Sequence, residues 1–199
     1  LNISSISLPE GHSGTQTFNF VVTLSNPTSR DFTVHYKTKD GTATIEDDDY
    51  EEAEGDLYFI GQSGQTQNIS VTIKGDRRVE EDEFFEVLLS QLSDNFNGRL
   101  SIPVDGKGTI RNDDSSEITI TKTDGKEGED PVTFTLSFPN GAYSDKPTTI
   151  HYKLLGTASG NGIDYYGNID TLITIPANTE KVEIVLPVVD DLLVEEDET

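Results

Sequence analysis

The 199-residue chain contains no cysteine. No disulfide staples it, and no thiolate can act as nucleophile or metal ligand. Basic residues are scarce. Only 14 Lys plus Arg stand against 37 Asp plus Glu, giving a formal net charge of −23. That balance argues against nucleic acid as a partner, because phosphate backbones need a basic surface. It argues against anionic membrane surfaces for the same reason. Long apolar runs are also missing. No segment is long enough to span a bilayer, so direct membrane insertion is not expected. The chain starts at Leu1 with no signal peptide ahead of it and reads as a piece of something longer. Hydrophobic residues make up only 33%. Low hydrophobicity with high net charge is the composition of disorder, unless the apolar residues are patterned.

They are patterned, and the pattern occurs twice. DRRVEEDEFF (76–85) and DDLLVEEDET (190–199) share VEEDE, with Glu80 and Glu195 standing 115 positions apart (195 − 80). The acidic run belongs to a longer internal match. HYK occurs at 35–37 and 151–153, GTA at 41–43 and 156–158, Asp-Tyr at 49–50 and 164–165, and Glu-Gly at 10–11 and 127–128. From Asp49 to Glu83 the copies align without a gap. The expected domains are residues 1–114 and 117–199, with Ser115 and Ser116 as a short linker. The second copy stops at VEEDET, where the first goes on through FFEVLLSQL and KGTIRNDD.

Alternating apolar residues predict strands. TFNFVVTLS (17–25), FTVHYKT (32–38), NISVTIK (68–74), FFEVLLSQL (84–92) and GTIRN (108–112) carry the signal in copy one. EITITKT, VTFTLSF, TTIHYKL, TLITI and KVEIVLPV repeat it in copy two. No segment has helical period over a useful length. About seven short strands per hundred residues predicts an all-β chain of tandem Greek-key β-sandwiches, the second lacking its last strands.

The acids of copy one fall between the strands: Glu10, then Asp47–Asp49 with Glu51, Glu52 and Glu54, then Asp76 with Glu80–Glu83, and finally Asp113 and Asp114. Loops that converge at one sandwich end would need a cation to offset the repulsion. Carboxylate oxygens without Cys select calcium over zinc or copper. A lone VEEDE would read as a solvated face; its duplication with a preceding Asp and an Asp-Tyr loop reverses that.

These motifs resemble the Calx-beta domain, first described in sodium–calcium exchangers and also found in bacterial surface proteins and an integrin subunit. The matching elements are Glu10–Gly11, Asp49–Tyr50, GDLYF (55–59), Asp76 with EEDE (80–83), FEVLLS (85–90) and GTIRNDD (108–114). The resemblance covers copy one and copy two up to its end. It implies an immunoglobulin-like sandwich holding Ca2+ in loops at one end. Carried over, the ligands are Glu10, Asp49, Asp76, Glu80, Glu83, Asp113 and Asp114, with Glu54 a weaker candidate and Arg78 offering only its carbonyl. In copy two they are Glu127, Asp164, Asp190, Asp191, Glu195 and Glu198, with Ile169 at the Glu54 position. Gly75 stands where an Asp is common and Asn112 replaces the first of three acids, so fewer ions or weaker binding are expected.

His35 and His151 occupy equivalent strand positions without a partnered nucleophile, and read as surface or packing residues. Tyr36 and Tyr152 read as core or corner aromatics. DDDYEEAEG lacks the EF-hand spacing, and no GxSxG or phosphate-binding Gly loop occurs. The leading expectation is a non-enzymatic, calcium-stiffened structural or adhesion repeat. Its parent would be secreted or cell-surface, with membrane anchoring allowed, and its partners neighbouring domains and a protein or glycan ligand. The truncated copy would expose a strand edge able to form a strand-exchange dimer. The alternatives are a regulatory calcium sensor of a membrane transporter, a cadherin-like repeat, and a glycan-active enzyme using paired carboxylates.

Overall fold

The computed structural model describes residues 1–102, 105–160, 162–168, 170–192 and 196–199. The chain divides into two compact units, Leu1–Asp114 and Ser115–Thr199.

Among the described residues unit 1 has eight strands: β1 (Asn2–Ile3), β2 (Ile6–Pro9), β3 (Gly14–Thr23), β4 (Phe32–Asp40), β5 (Glu54–Phe59), β6 (Thr66–Gly75), β7 (Glu83–Ser90) and β8 (Gly106–Arg111). They form two sheets, ordered β1-β3-β6 and β2-β8-β7-β4-β5. This is an immunoglobulin-like Greek-key sandwich. The segment before Glu10 is divided between the sheets: β1 pairs antiparallel with β3 while β2 pairs parallel with β8. Two serines manage the change of sheet. Ser4 Oγ accepts from Val21 N–H at 2.9 Å and Ser5 Oγ from Lys107 N–H at 3.1 Å, replacing ladder bonds the bend removes.

Alternation sets the faces. Phe18, Phe20 and Val22 of β3 and Ile69, Val71 and Ile73 of β6 all point inward with no exposed area. They meet Val34, Phe59, Phe85 and Val87 of the facing sheet. The partners of β3 and β6 run in unbroken register from Gly14↔Gly75 to Thr23↔Thr66. A one-residue slip would turn every core residue outward, so this register fixes the ends of both strands. It also fixes the loops: Glu10, the β4–β5 loop, the β6–β7 loop and the chain after β8 all gather at one end of the sandwich.

Unit 2 has β9 (Thr119–Thr123), β10 (Val132–Ser137), β11 (Thr148–Lys153), β12 (Asp170–Ile175) and β13 (Lys181–Leu186), with a 3₁₀ turn at Pro139–Gly141. Its sheets are β13-β10-β9 and β11-β12. Among the described residues unit 2 has no counterparts of β7 and β8. In unit 1, β4 pairs with both β5 and β7; β11 pairs only with β12 among the described residues. The core is correspondingly small, centred on Leu136, Ile184 and Leu186. Leu172 of β12 is 63% exposed.

The duplication extends to individual hydrogen bonds. Asp49 Oδ2 accepts from Thr44 N–H, and Asp164 Oδ2 from Ser159 N–H. Lys74 N–H donates to Asp49 C=O, and Val189 N–H to Asp164 C=O. Phe84 N–H donates to Thr42 Oγ1, and Thr199 N–H to Thr157 Oγ1. Each pair of residues is 115 apart in the sequence.

Candidate metal centre

The Asp49 turn is held from inside. Its carboxylate closes the loop on Thr44 N–H at 2.7 Å. Tyr50 next to it is 1% exposed, stacks on Phe85 with ring centroids 4.5 Å apart, and donates to Asp40 Oδ1. The core therefore sets where Asp49 points. Glu83 opens β7, and Glu80 lies three residues before it in the β6–β7 loop. Asp49, Glu80 and Glu83 each bring a carboxylate oxygen within 4.8 Å of the others.

Three acids this close cannot all stay charged cheaply. Asp49 and Glu83 face each other, and both are pushed above the ordinary carboxylate range. Burial is the main cause for Glu83, followed by the charges of Asp49 and Glu80, and it rises to about 7. Burial raises Asp49 too, opposed by the Thr44 N–H and the Glu83 hydrogen bond. One cation is already present: Arg78 Nε lies 2.8 Å from Glu80 Oε1. Arg78 thus acts through its side chain as well as its backbone, which the sequence did not reveal.

Glu10 is 6% exposed, an unusual degree of burial for a Glu. Its carboxyl is raised to about 8, chiefly by burial and then by the charges of Asp76, Glu80, Asp114 and Asp113. It stands between the loops. Asp76 Oδ1 accepts from Arg78 N–H at 2.7 Å, which turns the chain toward Glu80.

Asp113 and Asp114 form a second group with His12. His12 Nδ1 is 2.8 Å from Asp114 Oδ1 and 3.8 Å from Asp113 Oδ1. Asp113 Oδ1 also accepts from Gly11 N–H at 3.2 Å. Asn112 is a clamp. It donates to the carbonyls of Glu80 and Asp114 and accepts from Asp114 N–H. An Asp there would lose both donors.

Glu54 does not join the cluster. It opens β5 on the outer face, bound to Lys37 at 2.8 Å and His35 at 3.3 Å, and Lys37 holds it below the usual range. Glu52 pairs with Lys37 as well. His35 and His151 are engaged by Asp56 and Asp170 on the sheet surface. Tyr36 packs partly buried against the core. In unit 2, Glu127 Oε1 accepts from Asp191 N–H at 2.8 Å, and Asp190 lies beside Gly128. Asp164 keeps its turn, Glu198 is exposed, and Glu195 and Ile169 lie outside the described residues.

Gly75 has a steric reason. A Cβ built on it would fall inside the Gly11 carbonyl oxygen and 2.6 Å from that of Glu10. There is no room for an Asp there. Gly75→Asp should therefore destabilise unit 1 by about 1–3 kcal/mol, as overpacking does, and should not strengthen ion binding, because it displaces Glu10. Denaturant titration and ion-binding calorimetry on the variant check this; tighter binding at unchanged stability would refute it.

The oxygen donors of Asp49, Glu80 and Glu83, the buried Glu10 and an Asp114 Oδ2 that is buried without a hydrogen-bond partner fit a hard divalent cation. Fold and site together define tandem immunoglobulin-like β-sandwich units, the first with acid-rich loops gathered at one end. The Calx-beta domain family model matches residues 8–120 and 111–199. The chain belongs to the Calx-beta family, whose domains bind calcium. Among solved structures it is similar to the calcium binding domain CBD12 of CALX1.1, at 20% identity over 93% of this chain and 74% of that one, with a TM-score of 0.49. CBD12 from CALX1.2 matches at 20% identity over 96% and 76%, TM-score 0.48. The apo-form Calx CBD1 domain matches at 25% identity over 56% and 96%, TM-score 0.48. No curated protein matches the chain.

Proposed function

We propose that the chain is a calcium-binding regulatory module, and that unit 1 takes its ion at Asp49, Glu80 and Glu83 with Glu10 and Asp76 behind them. The observation that carries this is the convergence of three carboxylates within 4.8 Å from two different loops. Calcium supplies the counter-charge that Arg78 alone does not. Binding draws the β4–β5 loop, the β6–β7 loop and the start of β7 onto one point. The shared proton of Asp49 and Glu83 leaves as the ion enters. Occupancy thereby changes both charge and loop geometry, which is what a sensor transmits to the domains around it.

The module is a binder rather than an enzyme. Asp49 and Glu83 each bring a carboxylate oxygen within 4.8 Å of the other's, closer than the roughly 5 Å or more that separates paired glycosidase carboxylates. The family match favours the regulatory role. The adhesion role, with an extracellular location and a strand-exchanged dimer, rests on the sequence alone. Affinity separates the two: a sensor binds calcium at about 10⁻⁷–10⁻⁵ M, an extracellular module at about 10⁻⁴–10⁻³ M.

Calorimetric titration of three forms tests the site. Glu80→Ala should weaken calcium binding at least about tenfold, equivalent to ~1.4 kcal/mol. Glu52→Ala should change it little, because Glu52 faces Lys37 and not the cluster. Equal effects would mean diffuse attraction to an acidic surface and no defined site.

A further inference from the structure

We propose that a polar cavity at the end of unit 1 opposite the acidic loops binds a carboxylate-bearing sugar, with Arg30 and Arg99 taking the carboxylate. The inference does not depend on the calcium reading. The β3–β4 loop and the turn after β7 enclose about 480 Å³ at this end, a volume in the range of small-ligand sites. Leu24 and Leu100 are buried beneath it. Its walls carry hydroxyls and amides, among them Ser25, Asn26, Ser29 and Asn97. Every charged side chain that lines it is an arginine, in a chain where acids outnumber bases 37 to 14.

The turn that presents Asn97 and Arg99 is a built one. Phe96 adopts φ +51° and Asn97 φ +57°, and the left-handed region is costly for a residue as bulky as Phe. Hydrogen bonds hold it there. Asp94 Oδ1 accepts from Phe96 N–H at 2.7 Å, and Asn95 C=O accepts from Gly98 N–H at 3.0 Å and Leu100 N–H at 3.1 Å. The Phe96 ring meets Phe32 of the core edge-on, with centroids 5.8 Å apart. Arg30 stacks over the same ring at 5.2 Å, and its Nε and Nη2 both bond to Asp94 Oδ2. One carboxylate thus fixes the turn and the arginine together, and leaves the Nη1 donors of Arg30 for a ligand. Arg99 has no acid partner among the described residues.

The lining chemistry decides the ligand. A guanidinium fork matches a carboxylate with two parallel hydrogen bonds. A phosphate dianion would meet twice the repulsion from the net charge of −23. Hydroxyl and amide side chains both donate and accept, as the hydroxyls of a sugar ring require. An apolar ligand would leave them unpaired. Unit 2 contains no arginine, so a single such site is expected in the chain. The ten-residue strand β3 separates the cavity from the acidic loops, roughly 30 Å of extended chain. That is several times the screening length of about 8 Å in physiological salt, so calcium should not alter the affinity.

Calorimetric titration of the full chain with trigalacturonate, with 3′-sialyllactose and with lactose tests this, read together with the Asn97 and Arg99 amide signals in NMR spectra. At least one acidic sugar should bind and move those signals, and lactose should not. Which acidic sugar binds tells a polyuronate from a sialylated glycan. Arg99→Gln should weaken binding at least about tenfold. Asn97→Asp should do the same by placing a like charge in the cavity, and Asp tolerates the left-handed turn. Lys146→Gln, an exposed lysine of unit 2, should leave affinity within about twofold. Affinity in chelator and in calcium should agree to the same margin. Absence of binding by both acidic sugars, or equal binding by lactose, would overturn the proposal. So would affinity unchanged in Arg99→Gln and Asn97→Asp, equal loss in Lys146→Gln, or displacement of the sugar by acetate at the same concentration, since a bare anion site recognises no sugar. Binding that requires calcium would place the sugar at the acidic end and refute the assignment to this cavity. Failure of the calcium reading would appear separately, as calcium binding insensitive to Asp49→Asn.

Discussion

In chelator, the melting midpoint of unit 1 should fall as pH rises from about 5 to 8, and calcium should abolish the fall. Glu10 is raised to about 8 by burial and by the charges of Asp76, Glu80, Asp114 and Asp113, and Glu83 to about 7 by burial, Asp49 and Glu80. The ordinary value for both is 4.5. Between 4.5 and the raised values the folded state holds protons that the unfolded chain has released. Stability therefore declines with rising pH across that window. The protonated-state advantage is complete below about pH 4.5 and is gone above about pH 8. Glu10, almost fully buried, contributes a few kcal/mol, since each unit of pKa corresponds to ~1.4 kcal/mol. A loss of that size lowers the midpoint by on the order of 10 °C.

Asp94 works in the opposite direction. Phe96 N–H and Arg30 hold it below its ordinary value, so its contribution is lost at low pH. A stability maximum on the acid side of neutral follows. Calcium supplies the positive charge at high pH and adds about 2.7 kcal/mol at a hundredfold excess over its dissociation constant. Scanning calorimetry at pH 5, 6.5 and 8, with chelator and with calcium, measures both effects. A midpoint that is flat in chelator and unmoved by calcium would remove the charge argument for the site.

Much of this was legible in the sequence, for a physical reason. Period-two alternation sets which face of a strand is buried, and Phe18, Phe20 and Val22 declare it locally. The repeat supplied the rest, because a turn that recurs with its Asp, as at Asp49 and Asp164, marks a structural demand. What stayed hidden depends on contacts through space. Glu54 looked like a cluster acid, yet the pleat of β5 turns it to Lys37 and His35. Gly75 and Asn112 looked like lost ligands; one is a close approach of two backbones and the other a hydrogen-bond clamp. The pairing of His12 with Asp114 follows only once β2 and β8 lie side by side and bring Gly11 to Asp113.

The same coupling of core and loops predicts that Phe85→Ala costs more than stability. Phe85 has no exposed area, and its ring lies 6.1 Å from Phe18, 5.9 Å from Phe20 and 4.5 Å from Tyr50. Removing a ring so enclosed costs about 3–5 kcal/mol. Phe59 gives the control. It is equally buried and stacks on Phe32 at 5.2 Å, but it ends β5 at the far end of the sandwich from the acids. Phe59→Ala should cost a similar amount. The ion site should distinguish them. Phe85 follows Glu83 by two residues and supports the Tyr50 ring that fixes Asp49, so the cavity loosens two of three ligands at once. Calcium affinity, measured at a temperature where both variants remain folded, should drop about tenfold in Phe85→Ala. It should stay within about twofold of the parent in Phe59→Ala. Equal affinities in the two variants would mean that the loops hold the ligands by their own turns, and that the core beneath them sets stability alone.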